Sequence, residues 1–183
     1  ELTTMAQSFG TGRARLMLGM EATEGAVRST PLDAYGTIVF ATHGLVAGEL
    51  SGYAEPGLAL TPPSVPSASD DGLLSASEVA MLKRWVVLSA CNTAAGDGSP
   101  SGEPLSGLAK SFFYAGARSL LVSHWSVDSQ AAARLTSQTV ALAASGQAAT
   151  RALRDAELAF INDADGSYRT HPFFWAPFAL IGD

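Results

Sequence analysis

Three short apolar runs, separated by stretches of helical periodicity, constrain the fold of this chain more than any other feature. The runs cover residues 37–41, 85–89 and 118–123, and the first is apolar on both faces. Such strands suit the interior of a parallel sheet, and connections long enough to hold a helix favour parallel pairing. The sequence therefore predicts an open α/β sandwich, in which ligands bind at the carboxyl ends of the strands.

The remaining segments supply helices, loops and outer strands. Asp128 is a predicted N-cap for a helix over residues 129–144, and the inner stripe of the next helix carries Leu153, Ala156 and Phe160. Pro177 indicates that a last strand begins unpaired or at an edge. We also expect helices over residues 2–9, 22–28, 105–114 and 147–160, a capping box at 75–78, strands over 15–18 and 174–181, and exposed mobile loops at 61–72 and 95–104.

Length and composition limit the classes of function. A chain of 183 residues, 47% hydrophobic and 15% charged, suits one compact domain. A net charge of −6 disfavours nucleic acid as a partner, and no apolar run approaches the roughly 20 residues that cross a membrane. The single cysteine makes no internal disulfide, so a reducing, cytoplasmic compartment is expected. Since no signal peptide is visible and the first residue is not Met, we expect an excised domain or a matured chain.

A histidine and a cysteine follow two of the predicted strands at the point where each strand ends. His43 comes two residues after the first run, next to Gly44, and Cys91 comes two residues after the second. Parallel strands would bring both side chains to one sheet edge, where an imidazole can take the proton of a thiol and leave a nucleophilic thiolate. The backbone N–H groups of Gly44 and Cys91 are candidate donors for an oxyanion.

Each of these residues also has an ordinary structural explanation. A lone cysteine at the end of a buried strand is usually a core residue, and His43 with Gly44 would suit a turn. A zinc site built from His43, Cys91 and His124 lacks any ligand pair at short spacing. Neither a phosphate-binding loop nor a Ser-containing nucleophile elbow is present, so we expect no metal and no cofactor.

Short motifs along almost the whole chain resemble the CHAT domains, caspase-like domains usually found beside tetratricopeptide repeats. They include Ala-Thr-His-Gly at residues 41–44, Ser-Ala-Cys-Asn-Thr at 89–93, Trp-Ser-Val-Asp at 125–128 and His-Pro-Phe-Phe-Trp at 171–175. The resemblance implies a caspase-like three-layer sandwich with a mostly parallel central sheet. It also implies a His43–Cys91 dyad that cleaves peptides through a thioester; the separation of 48 residues is close to the roughly 50 of caspases.

Departures from the family pattern bear on the substrate specificity and on how much of the family's usual domain these residues cover. Ser89 stands where caspases carry Gln, so strict aspartate specificity is not supported, and His124 stands where relatives usually have an apolar residue. Ser89, His124, Trp125 and Asp128 are the candidate pocket residues: Trp125 to wall a side chain, Asp128 to hold a basic one. His124 is also explained as an exposed loop histidine. The family usually has a further strand ahead of this stretch, and repeats, which these 183 residues are expected to lack.

Two functions stay open on the sequence. The first is a cysteine endopeptidase that cleaves a protein or peptide partner and is regulated by adjoining repeats or an activator protein. The second is a catalytically inactive interaction module of the same fold.

Overall fold

The computed structural model describes residues 1–45, 54–67, 70–79, 107–163 and 168–182, and the backbone of residues 85–88. Within these residues there are five α-helices: α1 (Leu2–Ser8), α2 (Glu24–Ser29), α3 (Gly107–Tyr114), α4 (Ser129–Ala144) and α5 (Ala149–Ile161). The same residues contain seven strands: β1 (Thr37–Phe40), β2 (Gly44–Leu45), β3 (Gly57–Ala59), β4 (Leu73–Ser75), β5 (Trp85–Leu88), β6 (Ser119–Ser123) and β7 (Phe178–Gly182).

The strands form two sheets. The larger has the order β1-β5-β6-β7, in which β1 and β5, and β5 and β6, pair in parallel while β6 and β7 pair antiparallel. The smaller has the order β2-β3-β4 and is antiparallel throughout. The predicted runs at 37–41, 85–89 and 118–123 thus correspond to β1, β5 and β6.

The expected caspase-like three-layer sandwich with a mostly parallel central sheet is wrong for the described strands. Three of the five pairings between these strands are antiparallel, and they include every pairing of the small sheet. The error has a physical cause, because the prediction took helical connections between successive strands to imply parallel pairing. Two helices, α4 and α5, separate β6 from β7; the pair returns the chain to the edge where β6 ended, so β7 runs in the opposite direction.

Two smaller predictions also need correction. Residues 15–18 were expected to form a strand, but they pair with no described strand, and Leu16 and Leu18 are exposed. The last strand begins at Phe178, not at residue 174, because residues Pro172–Phe174 form a 3₁₀ turn before Pro177. Pro177 therefore precedes the paired part of the strand, as its missing N–H requires.

The larger sheet separates two hydrophobic clusters. Along β6, Leu120 and Val122 belong to one cluster and Leu121 to the other, because successive strand side chains point to opposite faces. The first cluster contains Leu108 and Phe112 of α3. The second contains the predicted inner stripe of α5, all of it buried: Leu153, Ala156 and Phe160.

Candidate functional site

The small sheet holds the segment that carries His43. The Ala59 N–H donates to the His43 carbonyl at 2.9 Å, and the Thr42 hydroxyl donates to the Ala59 carbonyl. Both bonds lock the backbone around His43 while its side chain stays exposed. The segment that follows β1 is therefore held in place by hydrogen bonds, whereas a loop without such bonds would not hold His43 in one position.

Gly44 is the first residue of β2 and lies opposite Leu58. The bond from Ala59 N–H to His43 O marks Gly44 and Leu58 as a non-hydrogen-bonded pair of the antiparallel ladder. Residues in such a pair direct their N–H and C=O groups away from the neighbouring strand. The N–H of Gly44 consequently points away from β3. Since β2 is extended, backbone conformation does not itself demand a glycine here.

The small sheet is anchored from behind by Glu24, a residue whose role the sequence did not reveal. Its carboxylate is 1% exposed and accepts hydrogen bonds from the N–H groups of Asp71 at 2.7 Å and Gly72 at 2.9 Å. Arg28, one helical turn later, pairs with it at 2.7 Å. The predicted mobile loop at 61–72 is thus fixed at its end, directly before β4, although residues 64–67 are exposed.

A second acidic residue, Glu78, takes part in the same anchoring. Arg28 also contacts Glu78 at 2.8 Å, and Glu78 accepts from the Ser75 N–H at 2.9 Å, which is one half of the predicted capping box. The sequence pattern showed Glu24 as an acid in the first turn of a helix, which is usually an exposed position. Only the folded structure, which places Glu24 next to residues 71 and 72, identifies it as a buried hydrogen-bond acceptor.

The loop after β6 carries three predicted pocket residues on the same sheet edge as His43. His124, Trp125 and Asp128 are all exposed. Asp128 accepts from the Ala131 N–H at 3.0 Å, so the predicted N-cap of α4 is confirmed. Because β5 lies between β1 and β6, the strands that lead to His43 and His124 are two strand spacings apart, about 10 Å.

The chain leading into β7 adds residues that the sequence analysis did not assign to the site. Trp125 Nε1 donates to the Phe173 carbonyl at 3.1 Å, and the two rings lie 6.5 Å apart. His171 Nδ1 accepts from the Phe173 N–H and caps the 3₁₀ turn. These residues reach the carboxyl edge because β7 is antiparallel and starts there. That direction is a property of the topology, and no local motif signals it.

Two predicted site residues, Ser89 and Cys91, lie outside the described residues. The described strands place His43, Gly44, His124, Trp125 and Asp128 after β1 or β6 at one sheet edge, and no contact of the thiol is tested. Within the described ranges, no three His, Cys, Asp or Glu side chains are grouped to hold a metal ion. Burial raises the pKa of Glu157, on α5, above its ordinary 4.5.

Comparison with known proteins identifies the family. No curated protein matches the chain, and in the part of the chain that the structure describes no helix has the length and apolarity needed to cross a bilayer. The model of the CHAT domain family, which is related to the caspase-like peptidases, matches residues 1–183, the full length of the sequence. The chain therefore belongs to the CHAT domain family.

Proposed function

We propose that this chain is a cysteine endopeptidase with His43 as general base and Cys91 as nucleophile. The observation that carries the proposal is the parallel pairing of β1 with β5, the strands that end three residues before His43 and Cys91. Neighbouring parallel strands end at one sheet edge, so residues at matched positions after them are suited to meet. The fixed backbone and exposed side chain of His43 support the same role.

In the proposed reaction the His43 imidazole transfers protons in both acylation and deacylation. The His43 imidazole takes the thiol proton, and the thiolate forms a bond to the carbonyl carbon of a peptide. The oxyanion is stabilised by the N–H groups of Gly44 and Cys91. When the C–N bond breaks, the imidazolium gives its proton to the leaving amine. Water, deprotonated by the imidazole, then attacks the thioester carbonyl; the C–S bond breaks, the acid is released, and the imidazolium returns its proton to the thiolate.

The proposed substrate is a protein or peptide bound along the carboxyl edge. Trp125 would wall a side chain of the substrate, Asp128 would hold a basic one, and His124 and Ser89 would line the same pocket. Support for Trp125 comes from its exposure, 37%, and from the hydrogen bond that fixes its indole. An activator protein or adjoining repeats would control access to this edge.

The test measures alkylation of Cys91 by iodoacetamide, by mass spectrometry across pH, in wild type, His43→Ala and His171→Asn. An unpaired thiol has a pKa near 8.5 and reacts slowly below pH 7. We expect fast labelling below pH 7 in wild type, its loss in His43→Ala, and no change in His171→Asn, since Asn can still cap the 3₁₀ turn. Slow labelling with an ordinary thiol profile in all three would favour the inactive interaction module.

A further inference from the structure

Two aromatic side chains lie exposed and in contact at the carboxyl edge, and the proposed reaction uses only one of them. Phe173 is 48% exposed, and its ring centroid lies 6.5 Å from that of Trp125. On another side Phe173 meets the ring of Phe174 edge-on at 5.4 Å, and Phe174 packs against the second hydrophobic cluster. Adjoining apolar surface that stays exposed beside packed neighbours is typical of a contact site. We call these two rings, Trp125 and Phe173, the aromatic wall.

Hydrogen bonds to the main chain of Phe173 hold the aromatic wall in place. The Phe173 N–H donates to His171 Nδ1 at 3.2 Å, and the Phe173 carbonyl accepts from Trp125 Nε1 at 3.1 Å. The chain that follows is joined to the end of β6, where the His124 N–H donates to the Pro177 carbonyl at 3.0 Å. The two rings therefore keep one relative position, and little conformational entropy is lost when a ligand binds to them.

The chemistry of the aromatic wall favours an apolar ligand. The indole N–H of Trp125 is already donated to the Phe173 carbonyl, and a phenylalanine ring has no polar atom. The wall thus offers carbon surface, against which an uncharged polar group would lose water without gaining a hydrogen bond. A cation over an exposed ring face gains less free energy than the burial of a large apolar side chain does.

The order of the strands determines which part of a peptide would reach the aromatic wall. β5, which leads to Cys91, lies between β1, which leads to His43, and β6, which leads to Trp125. The wall, between the ends of β6 and β7, is therefore one to two strand spacings from β5, about 5–10 Å, on the side away from His43. In the proposed reaction His43 protonates the leaving amine, so the amine part of the peptide extends toward β1. The acyl part extends toward β7 and, at about 3.3 Å per residue, reaches the wall within three residues.

We propose that Phe173 determines substrate specificity: together with Trp125 it binds a large apolar side chain among the three residues before the cleaved bond. The inference rests on the proposed function, because the dyad gives the substrate its direction. Phe173 contacts the substrate and not the reacting atoms, so its ring affects the choice of peptide and not the reactivity of Cys91. The substrate class is an extended protein segment with an aromatic or large aliphatic residue shortly before the cut.

The test measures how fast blocked tripeptide chloromethyl ketones alkylate Cys91 in the 183-residue chain, by mass spectrometry of the modified peptide. Each of the three positions carries phenylalanine, lysine or glycine in turn, while the other two positions carry alanine. We expect phenylalanine at one position to raise the second-order rate constant of alkylation at least about tenfold over glycine.

Variants of Phe173 assign this preference to the aromatic wall. Phe173→Ala removes the ring and keeps the main-chain carbonyl that holds Trp125, so it should reduce the preference for phenylalanine to about threefold or less. Phe173→Leu keeps apolar surface and should retain most of the preference. Tyr114→Ala is the matched control, because Tyr114 is an aromatic residue, 87% exposed, at the end of α3, shortly before β6 begins at the opposite edge. It should leave the preference unchanged.

The reaction with iodoacetamide distinguishes failure of the aromatic wall from failure of the dyad. It should be equally fast in wild type and in the Phe173 variants, and slow labelling of wild type below pH 7 would remove the proposed function and this inference with it. Fast iodoacetamide labelling without a preference for phenylalanine at any position, or with the same preference in Phe173→Ala, would overturn the inference alone. A preference for lysine that Phe173→Ala abolishes would show that the wall binds cations, and would also overturn it.

Discussion

Glu24 shows how much one buried charge can organise. Its carboxylate accepts two backbone hydrogen bonds from the segment before β4 and pairs with Arg28, which also reaches Glu78. A buried carboxylate is tolerated only when such partners replace its water. Here the partners of Glu24 belong to α2 and to the segment before β4, and Arg28 extends the connection to the turn after β4 through Glu78.

Glu24→Gln should lower the free energy of unfolding by about 1.5–3 kcal/mol, because it removes charge-assisted hydrogen bonds and leaves Arg28 without its nearest partner. Denaturant titration gives the stability, and hydrogen exchange at residues 71 and 72 should quicken. Glu21→Gln, an exposed position three residues earlier, should change stability by less than about 0.5 kcal/mol. Equal losses in the two variants would contradict the anchoring role.

At the scale of elements, the small antiparallel sheet matters because it fixes the backbone around His43. Its central strand, β3, contains Gly57, where a Cβ atom would lie 2.9 Å from the Leu74 carbonyl oxygen and 2.8 Å from Leu73 Cδ1. The first of these contacts involves backbone that cannot rotate away. The glycine thus allows β3 and β4 to lie close together.

Gly57→Ala is expected to cost about 1–3 kcal/mol through overpacking and to loosen β2 as well. Gly36→Ala is a matched control, since a Cβ at that position meets no atom within 4 Å. Thermal unfolding and the nuclear magnetic resonance spectrum of residues 42–45 would report the two effects. A Gly57→Ala protein as stable as Gly36→Ala would show that the strands have room to separate.

Sequence patterns located most elements but not the direction of every strand. The apolar stripe of α5 and the capping of α4 by Asp128 are local, and both are confirmed. The direction of β7 depends on the number of intervening helices, and the small sheet depends on pairing between short, distant segments such as Gly44 and Leu58. For the site, sequence patterns indicated only candidate residues. His43 and Trp125 could be named because each follows a predicted strand. Phe173 and Glu24 could not, because their contacts are with residues distant in the sequence.

The molecule as a whole is organised by the larger sheet, which contributes side chains to two separate hydrophobic clusters. Leu120 and Leu121 are neighbours in β6, both fully buried, and each belongs to a different cluster. Neither cluster can therefore lose its packing without disturbing the strand that serves the other.

Leu120→Ala and Leu121→Ala should each destabilise the protein by about 2–5 kcal/mol, through lost burial and an unfilled cavity. Because one strand serves both clusters, each variant should still unfold in a single transition, with near-UV and far-UV circular dichroism changing together. Two resolved transitions in either variant would mean that the two faces melt independently.

The reversed direction of β7 has a practical consequence for handling the protein. β7 ends at Gly182 beside Ser119, the first residue of β6, which is the edge of the sheet opposite to His43. A fusion partner, fluorophore or surface tether continued from β7 would emerge on that far side. Immobilising the chain in this way should leave the candidate site facing solution, ready for ligands delivered by flow.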